Sequence, residues 1–424
     1  MAFPKYESYK DSGVEWLGEI PSHWEVLPFK ALFKMSPEKN GGKIIGEMLS
    51  VSGYRGIEVK PYEYEEQKRS SKDLIDYRVV RPNQLVVNTM WLNYAGLGVS
   101  ELEGYVSPAY RAYWISKDLY GRFSHYLLRS HVYVQGYTGQ MQGIRPNSLQ
   151  IKNYDFNKIP ILVPEIEEQK RIANFIDRIT SDIDQAIAKK QRLIELLNEQ
   201  KAILINRAVT KGLNPNVSMR DSGIEWIGKI PEHWKVVQNR YIFQEQNQRS
   251  ANGDEIHLSM SQKLGLVPSD ELESKTLQSE SYEGAKLCLK TDLVLNRLKA
   301  HLGVFSVAPC DGLVSPDYSV FRLRNQSMTS KYFEHLFKTA IYISEFNRKV
   351  KGIVIGFYRL YSDSFNEIPC LCPPAHEQVQ IQNWIVEKHQ EFKIVEDAIR
   401  IEIDKLRELK SVAISEAVTG KIKV

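Results

Sequence analysis

The stretch DSGVEWLGEIPSHWEV, residues 11–26, occurs again as DSGIEWIGKIPEHWKV at residues 221–236. Eleven of the sixteen positions are identical, and both tryptophans and the single histidine recur. The copies are displaced by 210 residues, since 221 − 11 = 210. A repeat at this displacement in a chain of 424 residues indicates that one structural unit occurs twice.

Further pairs of segments follow in the same order, at offsets between 208 and 210. They are LSVSGYRG (49–56) with LSMSQKLG (258–265), LVVN (85–88) with LVLN (293–296), VSPAYRAYWI (106–115) with VSPDYSVFRL (314–323), FNKIPILVPEIEEQ (156–169) with FNEIPCLCPPAHEQ (365–378), and RAVTKGL (207–213) with EAVTGKI (416–422). Between these segments the copies diverge. This pattern predicts one scaffold that carries two different sets of loops.

The length of 424 residues predicts two or three domains. The composition, with 42% hydrophobic and 25% charged residues, is that of a globular protein. The formal net charge of +4 permits a nucleic-acid partner but does not by itself argue for one. The beginning, MAFPKYESYKDSG, lacks the apolar core of a signal peptide, and no apolar run approaches the length of a membrane span. We therefore expect a cytoplasmic protein. The four cysteines include no C-x-x-C pair, so neither a zinc site nor a disulfide framework is expected.

Each repeat is predicted to begin with a mixed α/β globular domain, because short β-type runs alternate with turn clusters and one or two helical patterns. A long helix follows, since neither glycine nor proline occurs between Pro164 and Gly212. Its apolar residues recur at steps of four and three, and those of the second repeat do likewise. The two seams are Ile172, Ile176, Ile179, Ile183, Ala186, Leu193, Leu197 and Leu204, and Ile381, Ile385, Phe392, Val395, Ile399, Leu406 and Ala413.

Two helices of about 45 residues, roughly 68 Å long, exceed the width of a small domain. They most simply bury their seams against each other, as an antiparallel coiled coil with a globular domain near each end. The alternative is that each helix packs on its own globular domain. The predicted segments are residues 1–160 and 213–369 for the globular domains, and 161–212 and 370–424 for the helices.

Sequence signals for catalysis are mostly absent. The chain has no G-x-x-x-x-G-K-[ST] loop, and its only Pro-Pro pair lacks the acidic and aromatic neighbours of an amino-methyltransferase. The Ser315-Pro316-Asp317 turn has no D/E-x-K at a suitable distance after it, and its counterpart ends in Ala109. His23 and His233, each beside a tryptophan, are predicted to be packed, hydrogen-bonded structural residues.

Several of these motifs resemble the specificity subunit of type I restriction–modification systems. They are Asp-Ser-Gly-x-Glu-Trp-x-Gly-x-Ile-Pro-x-His-Trp at the start of each repeat, Ile-Pro-x-x-x-Pro-x-x-x-Glu-Gln before each long helix, and Ala-Val-Thr at each helix end. The resemblance covers essentially the whole chain. One departure is that Pro374 and His376 replace Glu165 and Glu167, which affects only the second helix cap.

The resemblance implies that each globular unit is a target recognition domain and each long helix a spacer. It further implies a DNA target of two half-sites separated by bases that are not read. The chain would be non-catalytic, with no cofactor of its own. Two modification subunits would methylate adenine with S-adenosylmethionine, and a motor–nuclease subunit would use ATP and Mg²⁺.

Base and phosphate contacts need amide, guanidinium, ammonium and phenol groups, which single out candidate DNA-binding residues in both repeats. Those in the first are Arg55, Asn88, Tyr137, Gln140, Gln142 and Arg145. Those in the second are Lys263, Asn296, Arg297, Lys299, Arg348, Lys349, Lys351, Tyr358 and Arg359. Each is alternatively a solvated surface group. Asn88 and Asn296 align, so they are alternatively structural residues at strand ends.

Two other classes of function stay open at this point. One is a coiled-coil scaffold whose twin domains bind proteins, which steeply salt-dependent DNA binding would exclude. The other is a self-contained nuclease, which an assay of the lone chain with magnesium would detect.

Overall fold

A computed structural model describes residues 3–41, 43–53, 55–61, 74–143, 149–261, 264–272, 282–351 and 358–424. The chain divides into two compact units. The first contains Met1–Gln191 and Arg400–Val424, and the second contains Arg192–Ile399. Each unit therefore takes part of both long helices, whereas the sequence predicted units that are contiguous along the chain.

The first unit is a mixed α/β domain. Its strands are β1 (Tyr9–Asp11), β2 (Glu19–Pro21), β3 (Glu25–Pro28), β4 (Phe33–Met35), β5 (Glu47–Ser52), β6 (Gly56–Val59), β7 (Arg78–Val80), β8 (Gln84–Asn88), β9 (Leu97–Val99), β10 (Gly104–Val106), β11 (Tyr110–Ile115) and β12 (Pro160–Val163). Its helices are α1 (Phe29–Leu32), α2 (Gly121–Arg129), α3 (His131–Gln140), α4 (Asn153–Phe156) and the first part of α5 (Ile166–Lys211), with a 3₁₀ turn at Leu92–Tyr94.

Two four-stranded sheets organise this unit, in the orders β6-β5-β10-β7 and β4-β11-β8-β9. Every pairing is antiparallel except that of β5 with β10. Strand β8, QLVVN, is buried on both faces, which explains why it is an apolar run rather than an alternating strand. Two-stranded ladders join β1 to β2 and β3 to β12.

The second unit repeats this plan. Its strands are β13 (Met219–Asp221), β14 (Lys229–Pro231), β15 (Lys235–Gln238), β16 (Phe243–Gln246), β17 (Leu258–Ser261), β18 (Gly265–Pro268), β19 (Lys286–Cys288), β20 (Leu293–Asn296), β21 (Phe305–Val307), β22 (Gly312–Val314), β23 (Tyr318–Leu323) and β24 (Pro369–Cys372). Its helices are α6 (Asn239–Ile242), α7 (Ser330–Phe337), α8 (Ala340–Lys349), α9 (Ser362–Glu367) and part of α10 (Ala375–Val418), with 3₁₀ turns at Ser269–Glu271 and Ala300–Leu302. The β16-β23-β20-β21 sheet corresponds to β4-β11-β8-β9.

Both predicted long helices are observed, as α5 of 46 residues and α10 of 44 residues. Each begins several residues after the predicted boundary, because β12 and β24 come first and pair with β3 and β15. Acidic residues lie in the first turn of each helix, where the helix dipole favours them. Gly212 follows α5 with a φ of +78°, the left-handed conformation that commonly ends a helix.

The predicted apolar seams are only partly buried. Near the helix starts Ile172, Ile176, Ile381 and Ile385 are fully buried in the cores of their units. Leu193 and Val395, both predicted seam residues, are exposed, as are Ile203 and Ile394 beside the seams. Buried Ile403 lies four residues after Ile399, where the prediction steps directly to Leu406. The heptad pattern therefore identifies the helices better than it identifies their buried positions.

The ends of the long helices complete the two cores crosswise. Ala417, Val418 and Ile422 belong to the hydrophobic core of the first unit, together with Trp24 and Ile20. The matching residues Ala208 and Val209, near the end of α5, belong to the core of the second unit. The Ala-Val-Thr motif that ends each long helix is thus part of the core of the unit formed mainly by the other repeat.

The repeated His-Trp pair binds a carboxylate at the start of the long helix of its own repeat. In the first unit Glu168 accepts hydrogen bonds from His23 Nε2 (2.9 Å), Trp24 Nε1 (3.2 Å) and the Tyr6 hydroxyl (2.6 Å). These four residues form the first helix-start cluster.

In the second unit Glu377 accepts hydrogen bonds from His233 Nε2 (2.8 Å) and Trp234 Nε1 (3.0 Å), which forms the second helix-start cluster. Both histidines are hydrogen-bonded as predicted, although 49% of the His23 side chain and 46% of the His233 side chain are exposed.

Among the described residues, no helix is both long and apolar enough to cross a membrane.

Candidate nucleic-acid interface

The first candidate face consists of the β5–β6 turn, the loop from Met90 to Gly96, and the end of α3 at Gln140–Gln142. Arg129, on α2, holds the first two of these parts together. Its guanidinium donates to the carbonyl of Ala95 in the loop, to that of Leu97 at the start of β9, and to those of Ser52 and Gly53 in the turn. Burial lowers the pKa of Arg129 to about 10, so it stays charged at neutral pH. These four hydrogen bonds fix the position of the loop relative to the β5–β6 turn.

The predicted residues Arg55, Gln140 and Gln142 lie on this face. Arg55 is exposed in the β5–β6 turn, where its Nε donates to Glu58 Oε2 at 2.6 Å. That hydrogen bond raises the pKa of Arg55. Gln140 ends α3, and exposed Gln142 pairs through its backbone with Gln150. Their amides are of the type that reads adenine edges.

Asn88 and Asn296 lie at strand ends and are nearly buried. The Asn88 side-chain oxygen accepts from the Met90 amide at 3.2 Å, and that of Asn296 accepts from Leu298 at 3.1 Å. Both also hydrogen-bond a tyrosine hydroxyl on the neighbouring strand, which lowers that tyrosine's pKa against the rise caused by burial. They terminate equivalent strands, so the structural alternative is favoured for this pair.

Tyr137 does not reach the surface, which corrects its prediction as a DNA contact. It is fully buried in the core of the first unit, and its hydroxyl donates to the Leu128 carbonyl at 2.9 Å. Burial raises its pKa well above the usual value. The counterpart at offset 209 is Phe346, also buried, so the repeat itself contained the signal for a core position.

The second candidate face consists of the loop Arg297–Gly303, the end of α8, and the backbone bridge between Lys351 and Arg359. Two hydrogen bonds hold these parts together. The Asn347 amide donates to the His301 carbonyl at 3.1 Å, and the Leu360 N–H donates to the Arg297 carbonyl at 3.0 Å. The Tyr358 ring lies 6.1 Å from that of His301.

This second face brings together most of the predicted residues of its repeat. Those that lie on it are Arg297, Lys299, Arg348, Lys349, Lys351, Tyr358 and Arg359. Arg348 makes a two-pronged ion pair with buried Glu345, at 2.9 and 3.0 Å, which fixes its direction. Lys299 and Lys351 are exposed and make no ion pair with a described residue. Arg297 and Arg359 pair with Asp317, and Lys349 pairs with Glu367. The six cations of the face still outnumber its three paired carboxylates, as a phosphate-facing surface requires.

Arg145 and Lys263, the two remaining predicted contacts, lie outside the described residues.

Two aromatic residues on the first face escaped the sequence prediction. Trp91 is 54% exposed and Tyr94 is 51% exposed, on the loop that Arg129 braces. Large exposed aromatic groups are typical of recognition surfaces, because they stack on flat partners. Their counterparts in the second repeat are Lys299 and Leu302, at offset 208. A difference at matched positions in an otherwise shared loop was the available signal.

His125 packs beneath the β5–β6 turn and β9, next to the first face. We expect it to make the stability of the first unit depend on pH. The His125 ring lies against Gly56 and Gly98, and its Nδ1 accepts the Val99 N–H at 3.2 Å. Accepting this bond requires the neutral ring. Burial lowers its pKa to about 3, with Arg129 and Arg122 contributing.

The unfolded chain therefore binds a proton near pH 6.5 that the folded unit excludes. The stabilisation from His125 is full above pH 6.5 and falls by about 1.4 kcal/mol per unit as pH drops toward 3. Pulse proteolysis in urea at pH 7 and pH 5, read by mass spectrometry for peptides of the first unit, measures this slope. His125→Gln should flatten it, and an identical slope in the variant would contradict the assignment.

No family model matches the chain. The curated relatives include the type I restriction enzyme MjaX specificity subunit of Methanocaldococcus jannaschii, which is 24% identical over 453 residues and aligns with 100% of this chain and 99% of its own length. The type I restriction enzyme MjaVIII specificity subunit of the same organism is 28% identical over 256 residues, covering 57% of this chain and 53% of that protein.

Solved structures share the fold. A chain described in work on complex assembly and conformational transition of the type I R-M system superposes with a TM-score of 0.63 at 14% identity, over 94% of this chain and 98% of the other. The HsdS subunit from Thermoanaerobacter tengcongensis gives 0.53 at 15% identity, over 95% and 98%. The resemblance that the motifs predicted is confirmed: the curated relatives are type I restriction enzyme specificity subunits.

Proposed function

We propose that this chain is the DNA-sequence-recognition subunit of a type I restriction–modification complex and reads a target of two half-sites separated by unread bases. The observation that carries the proposal is the contrast between the candidate faces. Both units share one four-stranded sheet of the same plan and a His-Trp-carboxylate cluster at the helix start. The first face presents mainly amide and aromatic groups together with Arg55, and the second presents mainly guanidinium and ammonium groups. One scaffold with two different reading surfaces is what an asymmetric split target requires.

The partners in this proposal are double-stranded DNA, two modification subunits and a motor–nuclease subunit. Adenine methylation belongs to the modification subunits with S-adenosylmethionine, and ATP and Mg²⁺ belong to the motor–nuclease subunit. The chain itself performs no bond-breaking step. The names of the curated relatives support this division, and the alignment with one of them extends over the whole chain.

The two long helices are proposed to form an antiparallel coiled coil that sets the separation of the half-sites. Contacts within the first unit support this pairing. Lys190 pairs with Glu402, and Lys410 pairs with Asp184 at 2.7 Å. As the residue number rises in α5 it falls in α10, which is the antiparallel sense. The pairs are exposed, so they define register more than stability.

Co-expression with the modification subunits, followed by mapping of methylated adenine across a genome, tests the proposed function. We expect methylation at one split sequence. Replacing Lys299, Arg348 and Lys351 together by glutamine should relax or change one half of that sequence and leave the other half intact. The matched control carries three glutamines at exposed cations of the long helices and should keep the sequence. Absence of any methylated split sequence with the natural chain would overturn the proposal. DNA binding that is insensitive to salt would favour a protein-binding scaffold instead.

Lengthening both helices together should lengthen the unread spacer. In an antiparallel pair, the numbers of facing residues have a nearly constant sum, which is 592 for Lys190–Glu402 and 594 for Asp184–Lys410. Gln200 therefore faces Lys393, since 200 + 393 = 593, and a seven-residue insertion after Gln200 is matched by one after Lys393. Seven residues preserve the seam and add about 10 Å, or about three base pairs of DNA. The methylation map would show the wider spacer directly. An insertion in one helix alone is the control and should abolish methylation, whereas an unchanged spacer in the paired variant would refute the role of the helices.

A further inference from the structure

A polar pocket of about 370 Å³ opens in the second unit beside the second candidate face. Three cationic side chains converge on it, Arg249, Lys286 and Arg297. Two carboxylates, Glu245 and Asp363, also line it. Glu245 already accepts a hydrogen bond from the Ser362 hydroxyl at 2.7 Å. Asp363 is exposed at the start of α9. By formal charge the lining is cationic, with three positive groups against two negative ones.

Lys286 is the unusual member of this group, because it is buried. Its ammonium donates to the Tyr318 carbonyl at 2.9 Å, and no carboxylate of a described residue lies within ion-pair distance. Burial lowers its pKa, and Arg297 and Arg249 lower it further while Glu245 and Asp317 oppose them. A buried ammonium is costly unless its charge is compensated, and Glu245 and Asp317 supply part of that compensation here. The two guanidinium groups beside them leave the lining with room for a further anion.

The same pair of cations occurs in the first unit. Lys39 and Arg78 stand where the second unit has Arg249 and Lys286, since 249 − 39 = 210 and 286 − 78 = 208. In each unit the two residues form an isolated antiparallel backbone bridge. Arg78 Nε also donates to the Pro108 carbonyl at 3.4 Å, in the Ser-Pro turn next to β11.

The residues around the pair differ between the units. Met35 and Thr89 of the first repeat stand where the second has Glu245 and Arg297. A basic pair kept by both repeats, within surroundings that differ, fits a ligand common to both half-sites. The sugar–phosphate backbone is the part of DNA that does not vary with sequence.

We infer that the Arg249–Lys286–Arg297 pocket binds a phosphodiester group of the DNA backbone, and that Lys39 and Arg78 form the corresponding contact in the first unit. The inference rests on the proposed function. The shared chemistry is a phosphate oxyanion, and the second source for it is a free phosphate compound. Arg297 lies in both the pocket and the second face, and its guanidinium donates to the Asp317 carbonyl at 2.6 Å. Because that bond fixes Arg297, a phosphate held here would orient the adjacent bases.

The test measures affinity of the complete complex for a duplex bearing its target, with single phosphates replaced in turn by uncharged methylphosphonate. One replacement beside the half-site read by the second unit should weaken binding by the natural complex about tenfold. Arg249→Gln should weaken binding to unmodified DNA to a similar extent and be insensitive to that replacement. It should also reduce the slope of log affinity against log salt by about 1. Lys229→Gln, an exposed cation on β14, is the matched control.

Lys286→Met is the second variant, and Arg249→Gln keeps the test valid if the buried substitution impairs folding. If Arg249→Gln and the methylphosphonate replacement weakened binding independently at every phosphate position, Arg249 would contact none of those phosphates. That result would overturn the inference. Inorganic phosphate titrated without DNA provides the other arm. Phosphate binding that Arg249→Gln abolishes, with DNA affinity unchanged, would overturn the backbone assignment in favour of a free anion. Failure of the proposed function is distinct, because the natural complex would then show no preference for any split sequence.

Discussion

Removing residues 412–424 is expected to unfold the first unit, although the rest of that unit lies at the other end of the chain. The deleted segment contributes buried Ala417, Val418 and Ile422 to the core around Trp24. Burial of Val418 and Ile422 alone stabilises the fold by about 1.5–3 kcal/mol each, before the cavity they would leave is counted. Loss of the whole segment therefore approaches the total stability of a typical domain, about 5–15 kcal/mol.

Backbone contacts strengthen this expectation. The Lys423 N–H donates to the Pro4 carbonyl at 2.7 Å, and the Lys421 ammonium donates to the carbonyls of Leu17 and Glu19. Gly420 has a φ of +71°, and a side chain there would lie 2.4 Å from Pro21 Cδ. The segment is thus fitted closely to the β1–β2 region.

Point substitutions allow the two units to be compared within one experiment. Ala417→Asp places a charge in the core of the first unit and should destabilise that unit by at least about 3 kcal/mol. Val209→Asp should do the same to the second unit, whose core contains Val209. Val412→Asp, on an exposed position of α10, should change stability by less than about 0.5 kcal/mol.

Pulse proteolysis with mass spectrometry gives the stability of each unit separately. We expect Ala417→Asp to affect peptides before residue 191, far from it in sequence, and Val209→Asp to affect peptides between residues 192 and 399. Ala417→Asp destabilising the second unit, or Val209→Asp destabilising the first, would contradict the assignment of the helix ends to these cores.

The sequence could predict the doubled architecture because matched motifs constrain it at many points. It also identified both long helices, since the absence of glycine and proline over the predicted helix and an acidic first turn are local signals. Completion of the first core by the end of α10 is different, because it depends on contacts between residues distant in sequence, such as Lys421 and Leu17, which are 404 positions apart. The paired Ala-Val-Thr motifs marked the right residues without indicating which unit they enter.

The candidate faces were only partly predictable for a similar reason. Side-chain chemistry selects residues able to bind DNA, but exposure decides whether they can do so. Tyr137 has suitable chemistry but a core position, whereas Trp91 is exposed although tryptophan is a residue type that also occurs in cores. Offsets between the repeats would have corrected Tyr137 through Phe346 and drawn attention to Trp91 through Lys299. Comparison of the copies at matched positions therefore carries more information than residue type alone.

Glu168→Leu is expected to cost the first unit about 3–5 kcal/mol, because it removes the acceptor of the first helix-start cluster. The Glu168 side chain is 7% exposed and serves three donors. Burial, with the Glu168 hydrogen bond, raises the pKa of Tyr6, so its hydroxyl stays protonated and donates. After substitution the Tyr6 hydroxyl and the Trp24 N–H would be left without this acceptor.

Glu377→Leu supplies a matched comparison in the same chain. Its carboxylate is 17% exposed and serves the two donors of the second helix-start cluster, so we expect a smaller cost of about 1–3 kcal/mol to the second unit. Tyr6→Phe should cost about 1 kcal/mol in the natural chain and much less in Glu168→Leu, because the acceptor is then absent. Equal costs of Tyr6→Phe in the two backgrounds would contradict the cluster.

Glu168→Gln separates hydrogen bonding from charge. The amide keeps one oxygen for Tyr6 and Trp24, and it turns an N–H toward His23, whose neutral ring can accept it through Nε2. If hydrogen bonding dominates, Gln should retain most of the stability that Leu loses. If the helix dipole and the charged pair with His23 dominate, Gln should approach the cost of Leu, and added salt should narrow the gap between Gln and the natural residue. Because the cluster is buried on the carboxylate side and satisfied by three donors, we expect the first outcome. The repeated His-Trp pair is then best explained as a pair of hydrogen-bond donors that fixes the position of the first turn of each long helix.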